Sequence, residues 1–134
     1  MRWLWTIILF VLAGGILALP GEAHSAEFMV YSVYRALDMG NPGETPQKDY
    51  YVNMGTSQGL RPGSVLEVVR RASTYDLITE KLYKDISFPI AHLKVVHAEN
   101  NAAVARLEKM LPADKIPALA PYAVVVGDLI RQAQ

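Results

Sequence analysis

The stretch that decides the fold is Asn53–Gly63, NMGTSQGLRPG. Its three glycines stand four apart, at 55, 59 and 63. Ser57-Gln58-Gly59 reads as a tight turn that needs positive φ at Gly59. Arg61-Pro62-Gly63 reads as a type II turn, with proline presetting φ at its second position and glycine supplying positive φ at its third. Leu60, between the two, is expected to plug the space beneath them. Two sharp reversals within eleven residues leave no room for a helix, so this segment is a corner between strands.

The flanks agree. Upstream, Tyr50–Met54 is a short β-rich run, preceded by a loop at Asp38–Asp49 with Gly40, Pro42, Gly43 and Pro46. Before that, Phe28–Leu37 (FMVYSVYRAL) is aromatic and β-branched, apolar on both alternating faces. Downstream, Ser64–Arg71 (SVLEVVRR) is a third strand. Ile90–Ala98 and Ala102–Met110 flank Glu99-Asn100-Asn101 as a hairpin, with a helix as the alternative for 102–110 and a strand preferred for its first half. Leu111–Pro121 carries three prolines and reads as an irregular connection. Tyr122–Val126 is read as a buried strand, Gly127-Asp128 as a bulge, and Leu129-Ile130 as its continuation. Residues 72–89 support two readings equally. Tyr75, Ile78, Leu82, Tyr83 and Ile86 fall near helical spacing, and Ser73 with Asp76 forms a capping box; the same residues also suit two arms of a hairpin. Five to six short strands with turn signals between them make an all-β barrel or sandwich.

The N-terminus is different in kind. Met1-Arg2 precedes 17 uncharged residues, Trp3–Leu19, then Pro20-Gly21 and the small-residue run to Ala26. This is the pattern of a secretory signal peptide. The reading is therefore a signal helix in residues 1–26 and a single β-domain in 27–134, sent across the inner membrane to the periplasm. Membrane attachment would come only through an uncleaved signal, because 17 residues fall short of the ~20 a spanning helix prefers.

The whole chain has 134 residues, 13 basic and 13 acidic side chains, no cysteine and 51% hydrophobic residues. The apolar excess sits largely in residues 3–19. Arg2 and Glu22 are the only charges before residue 27, so the remainder is also balanced. Neutrality argues against a nucleic-acid or anionic-lipid binder held by bulk charge. The lack of cysteine excludes disulfides, thiol catalysis and cysteine-ligated clusters.

The order of motifs resembles the C-terminal domain of the flagellar assembly protein T family. The matching elements are Tyr51-Val52-Asn53-Met54-Gly55, Gly59-Leu60-Arg61-Pro62-Gly63-Ser64-Val65, Val69-Arg70, Ile90–Val96, Ala103–Arg106 and Val126-Gly127-Asp128. The glycine corner is also similar to β-domains of other envelope proteins, including the rod-shape-determining protein C family. The resemblance implies a small SH3-like barrel, exported and non-enzymatic, that contacts a protein partner in a bacterial envelope or flagellar basal body. It differs from the flagellar pattern in that the signal runs straight into the barrel.

No constellation for chemistry emerges. His92 and His97 lie five apart on one strand, which points them to opposite faces. Ser57 lacks a nucleophile's strand–turn–helix setting. The glycines spell neither a Walker loop nor GxGxxG. Asp76 and Glu80 are sequence-local and do not face each other across a cleft, as glycosidase carboxylates must. The expectation is thus no catalytic, cofactor or metal residues. Asn53, Gly55, Gly59, Pro62, Gly63, Gly127 and Asp128 are assigned to structural turns. Tyr50, Tyr51, Arg61, Arg70 and Tyr75 are assigned to partner contact, because tyrosine and arginine carry interface energy. The alternative is a small-ligand or cell-wall-glycan module using the same aromatic loops; it would use a ring platform, and both tryptophans, Trp3 and Trp5, belong to the signal segment.

Overall fold

The computed structural model describes residues 27–133; the segment read as a signal helix lies outside them. Six strands form one antiparallel sheet: β1 (Val30–Arg35), β2 (Lys48–Val52), β3 (Val65–Asp76), β4 (Lys81–Ala98), β5 (Ala103–Met110) and β6 (Leu129–Gln132). Their spatial order is β1-β2-β5-β4-β3-β6. The described residues hold no α-helix, and a single 3₁₀ turn, Thr56–Gln58, sits in the glycine corner.

Period-two patterning explains the strands. Tyr50 and Val52, Leu66 and Val68, Leu93 and Val95, and Ala103 and Ala105 are all buried, each pair separated by one residue. Alternate positions of a strand share a face, so these pairs line one surface of the sheet. Leu60 and Val124 cap that surface from the loops and are themselves buried. Each large aliphatic side chain so covered contributes about 1.5–3 kcal/mol.

The expected closed barrel is not formed. The outer strands of the sheet meet at one end only. There Met29 bridges Leu129, the Val30 N–H donates to the Asp128 carbonyl (2.9 Å), and the Gly127 N–H donates to the Val30 carbonyl (2.8 Å). Past that seam β1 and β6 share no ladder. β6 is four residues long because the segment before it is not the expected strand. Of Tyr122–Val126 only Val124 is buried, while Tyr122 and Val126 are about half exposed. Gly127 turns the chain at φ +96°, and the carbonyls of Pro121 and Ala123 are taken by Arg70, so they make no ladder.

The segment 72–89 is a hairpin arm, and the helical reading falls. β3 runs out to Asp76 and β4 returns from Lys81, with Tyr75 facing Leu82, Thr74 facing Tyr83 and Ala72 facing Ile86. Asp76 closes the turn and does not join Ser73 in a helix cap. Its Oδ1 accepts from the Ile78 N–H (2.9 Å) and its Oδ2 from the Thr79 hydroxyl (2.6 Å). Extending an existing ladder adds hydrogen bonds residue by residue, whereas a helix there would first need its own unfavourable nucleus. β5 likewise stays extended through Met110, with β2 and β4 as neighbours on its two sides. These strands are also longer than expected, at 12 residues for β3 and 18 for β4. β6 leaves β3 after Val69, and β5 pairs with β4 only from Ala91 onward, so the outer arm has no strand on either flank among the described residues.

Candidate docking arm and its root

The glycine corner is an anchoring device. The Thr56 N–H donates to the Glu99 carbonyl (2.8 Å) and the Ser57 N–H to the Asn100 carbonyl (3.0 Å). The Ser57 hydroxyl also bonds Asn100 Oδ1 at 2.6 Å, which joins the corner to the β4–β5 turn. Gln58 Oε1 accepts from the Gly55 N–H (2.8 Å). Gly59 takes φ +86° and Gly63 φ +95°, and the Ser64 N–H closes the Arg61–Ser64 turn onto the Arg61 carbonyl at 2.9 Å around Pro62. Gly55 is extended and is small for another reason: a Cβ there would meet three backbone atoms of residues 99–102. Asn53 ties in the chain entering β1, accepting from the Met29 N–H at 2.7 Å. Arg61 lies exposed at the rim.

Arg70 and Asp128 form the root of the arm. The Arg70 guanidinium donates from Nε to Asp128 Oδ1 and from Nη2 to Oδ2, both at 2.7 Å. It also donates to the carbonyls of Ala123 (2.7 Å) and Pro121 (3.1 Å). Asp128 is 4% exposed and its Oδ2 accepts from the Val125 N–H (2.8 Å). The pair is two-pronged, and four of the five guanidinium N–H groups donate, the kind of arrangement that offsets the cost of burying charge. Arg70 is therefore committed inward and is withdrawn from the expected contact set. Tyr50 is withdrawn too: it is 2% exposed, and burial pushes its phenol above the ordinary tyrosine value. Its neighbour Tyr51, on the opposite face, packs its ring 6.3 Å from that of the exposed Tyr31. His97 bonds Glu99 at 2.8 Å, and no cluster suited to a metal ion occurs among the described residues.

The arm itself carries the concentrated apolar exposure. Tyr75, Leu82, Tyr83 and Ile86 are each roughly half exposed, and at the tip Leu77 is 83% and Ile78 94% exposed. Large apolar side chains scattered singly over a surface are ordinary; six within twelve residues, spread over both faces and the tip of one hairpin, are a concentration. Of these only Tyr75 was assigned to contact from sequence. In the sequence Ile78 stands out only as one of five residues near helical spacing in a segment that suits helix and hairpin equally, and Leu77 does not stand out at all. The signal that finds them is Asp76 and Thr79 bracketing Leu77-Ile78, since a turn closed by an aspartate side chain throws the two residues between outward.

The tip depends on charge. Hydrogen bonds from the Thr79 hydroxyl, and then from the Ile78 and Thr79 N–H groups, hold the Asp76 carboxyl below the ordinary aspartate range. A depressed folded value means that the contribution is present above the unfolded pKa and lost as pH falls through the folded one. The Ile78 and Thr79 amides are thus expected to lose hydrogen-exchange protection below about pH 4, while the Val68 amide keeps its own. Asp76→Ala should show the unprotected tip at every pH. A pH-independent tip in the parent chain would contradict this account.

Compared with known proteins, the chain matches no family model and no curated protein.

Proposed function

We propose that this chain is an exported, non-enzymatic module that works by protein–protein contact in a bacterial envelope or flagellar assembly, on an opened version of the SH3-like sheet. The observation that carries the reading is the arm: six exposed apolar side chains on a hydrogen-bonded hairpin, fastened at its root by the Arg70–Asp128 pair. Such an arm presents apolar surface while losing little conformational entropy on binding, because the backbone is already ordered. Tyr75 and Leu82 share one face of it, and Tyr83 and Ile86 line the other through their pairing with Thr74 and Ala72. Leu77 and Ile78 reach furthest and are the side chains that enter a partner's pocket. Net neutrality leaves shape and apolar contact as the means of recognition.

The test is photo-crosslinking in cells. A photoreactive residue at Ile78 is expected to give a discrete protein adduct, identified by mass spectrometry, that disappears on Leu77→Asp. The same probe at exposed Glu108 on β5 should give none. Adducts of equal yield from both positions, or from peptidoglycan alone, would overturn the reading, the second in favour of a glycan binder.

A further inference from the structure

Separate from the tip, the backbone edge of β3 beyond Val69 has no strand against it among the described residues. The Ala133 N–H donates to the Val65 carbonyl on the β6 side, which sets the parity of the strand. Both register shifts between β3 and β4 insert their extra residue in β4, so the parity of β3 runs unbroken from Val65 to Asp76. Arg71, Ser73 and Tyr75 therefore turn their N–H and C=O groups to the flank that β6 has left. An ordered strand with unpaired backbone groups is a template for another strand. The opposite edge of the arm is protected: β4 has Pro89, and a bulge at Asp85 with φ +60°. β3 carries no proline and no bulge residue of its own over 70–76.

We propose that this edge pairs with the same edge of a second copy, antiparallel, about a two-fold axis at Ser73. A two-fold axis normal to the sheet keeps each residue on its own face, so residue k meets residue 146 − k for an axis at 73. Ser73 then faces Ser73, Arg71 faces Tyr75, Ala72 faces Thr74 and Arg70 faces Asp76. The three outward-facing residues of each copy meet one another as hydrogen-bonded pairs, exchanging about six backbone hydrogen bonds. No like charges face each other, and Arg71, whose guanidinium is held by Glu27 (2.5 Å) and Asp85 (3.3 Å), sets its aliphatic stem across from an aromatic ring. The neighbouring axes are poorer. One at Arg71 sets arginine against arginine. One at Ala72 drives Tyr75 into the position that Leu129 of β6 occupies opposite Val69, and one at Thr74 runs Arg71 into the turn. The register that uses the whole free edge is thus also the one with matched charge. The product is a four-stranded sheet built from two hairpins, a size at which a free-standing β arm becomes stable. Leu77 and Ile78 lie in the turn, outside the paired residues, and the same rule brings Leu77 of each copy beside Val69 and Leu129 of the other.

The test uses the full chain, which has no cysteine of its own. Sedimentation across a concentration series should show the 14.8 kDa chain passing to twice that mass. Ser73→Pro, which deletes the central outward N–H, should hold it at the single mass while its β3–β4 amides keep their protection. Ser73→Cys should form an oxidised dimer readily, because facing Cα atoms of a hydrogen-bonded pair stand about 5.5 Å apart. Thr74→Cys should not, since its mate lies about 8 Å away. A chain of single mass throughout overturns the proposal. So does a dimer indifferent to Ser73→Pro, or one that cross-links at Thr74→Cys and not at Ser73→Cys. A single-mass chain that captures a foreign protein from a photoreactive Ser73 position overturns it in favour of a strand from another partner, and none of these results bears on adducts from Ile78.

Discussion

Asp128→Ala is expected to remove about 3–5 kcal/mol of folding stability, the cost of breaking a buried ion pair by deleting one member. The Arg70 side chain is 13% exposed and would keep its charge with only the Pro121 and Ala123 carbonyls as partners. The Val125 N–H would lose its acceptor as well. Small domains hold about 5–15 kcal/mol in total, so this one change consumes a large part of the whole. It should appear as a fall in Tm of at least about 12 °C. The double variant Arg70→Met/Asp128→Ala should lose less than the sum of its parts, because the uncompensated charge is gone. Thermal unfolding of the four members of that cycle measures the coupling. Additive losses would mean that the pair contributes no more than two independent side chains.

Gly55→Ala is expected to cost about 3 kcal/mol or more, at the upper end of overpacking penalties. The added Cβ would stand 2.2 Å from the Glu99 carbonyl oxygen and 2.7 Å from both the Ala102 nitrogen and the Asn100 oxygen. All three are backbone atoms, so no rotamer change relieves the clash. Relief requires the β4–β5 turn to move away, and that breaks the bonds from the Thr56 and Ser57 N–H groups. Gly59→Ala is the contrast. Gly59 has positive φ, but a Cβ there meets only the end of the Gln132 side chain at 3.6 Å. Its expected cost is the left-handed penalty alone, about 1–2 kcal/mol. Denaturant unfolding of the two variants side by side checks the ranking; a Gly59→Ala loss equal to that of Gly55→Ala would mean that backbone conformation, and not space, governs the corner.

The two glycines show where a sequence is legible. Gly59 and Gly63 follow local rules: a reversal after Ser57-Gln58, and Pro62 ahead of a residue with positive φ. Gly55 stands in the same motif and looks the same, yet its reason lies with residues 99–102, more than forty positions away. The arm divides in the same manner. Alternation of apolar residues gives Tyr75 and Tyr83 a place in either a helix or a hairpin, and only the ladder continuing outward from Leu66 and Leu93 selects the hairpin. Arg70 reads as an exposed strand end until Asp128, 58 residues later, is seen beside it.

Period-two patterning, turn glycines and prolines act within a few residues, and they alone were enough to make this chain all-β with a sharp corner at 53–63. Closure and exposure are set by contacts distant in sequence. The fold keeps its sheet open because Gly127 and the Arg70 donors hold 121–128 out of a ladder, and it leaves Leu77 and Ile78 in solvent because β5 and β6 end before the arm does. Those contacts join residues that no local rule brings together, and they decide which surface this protein offers.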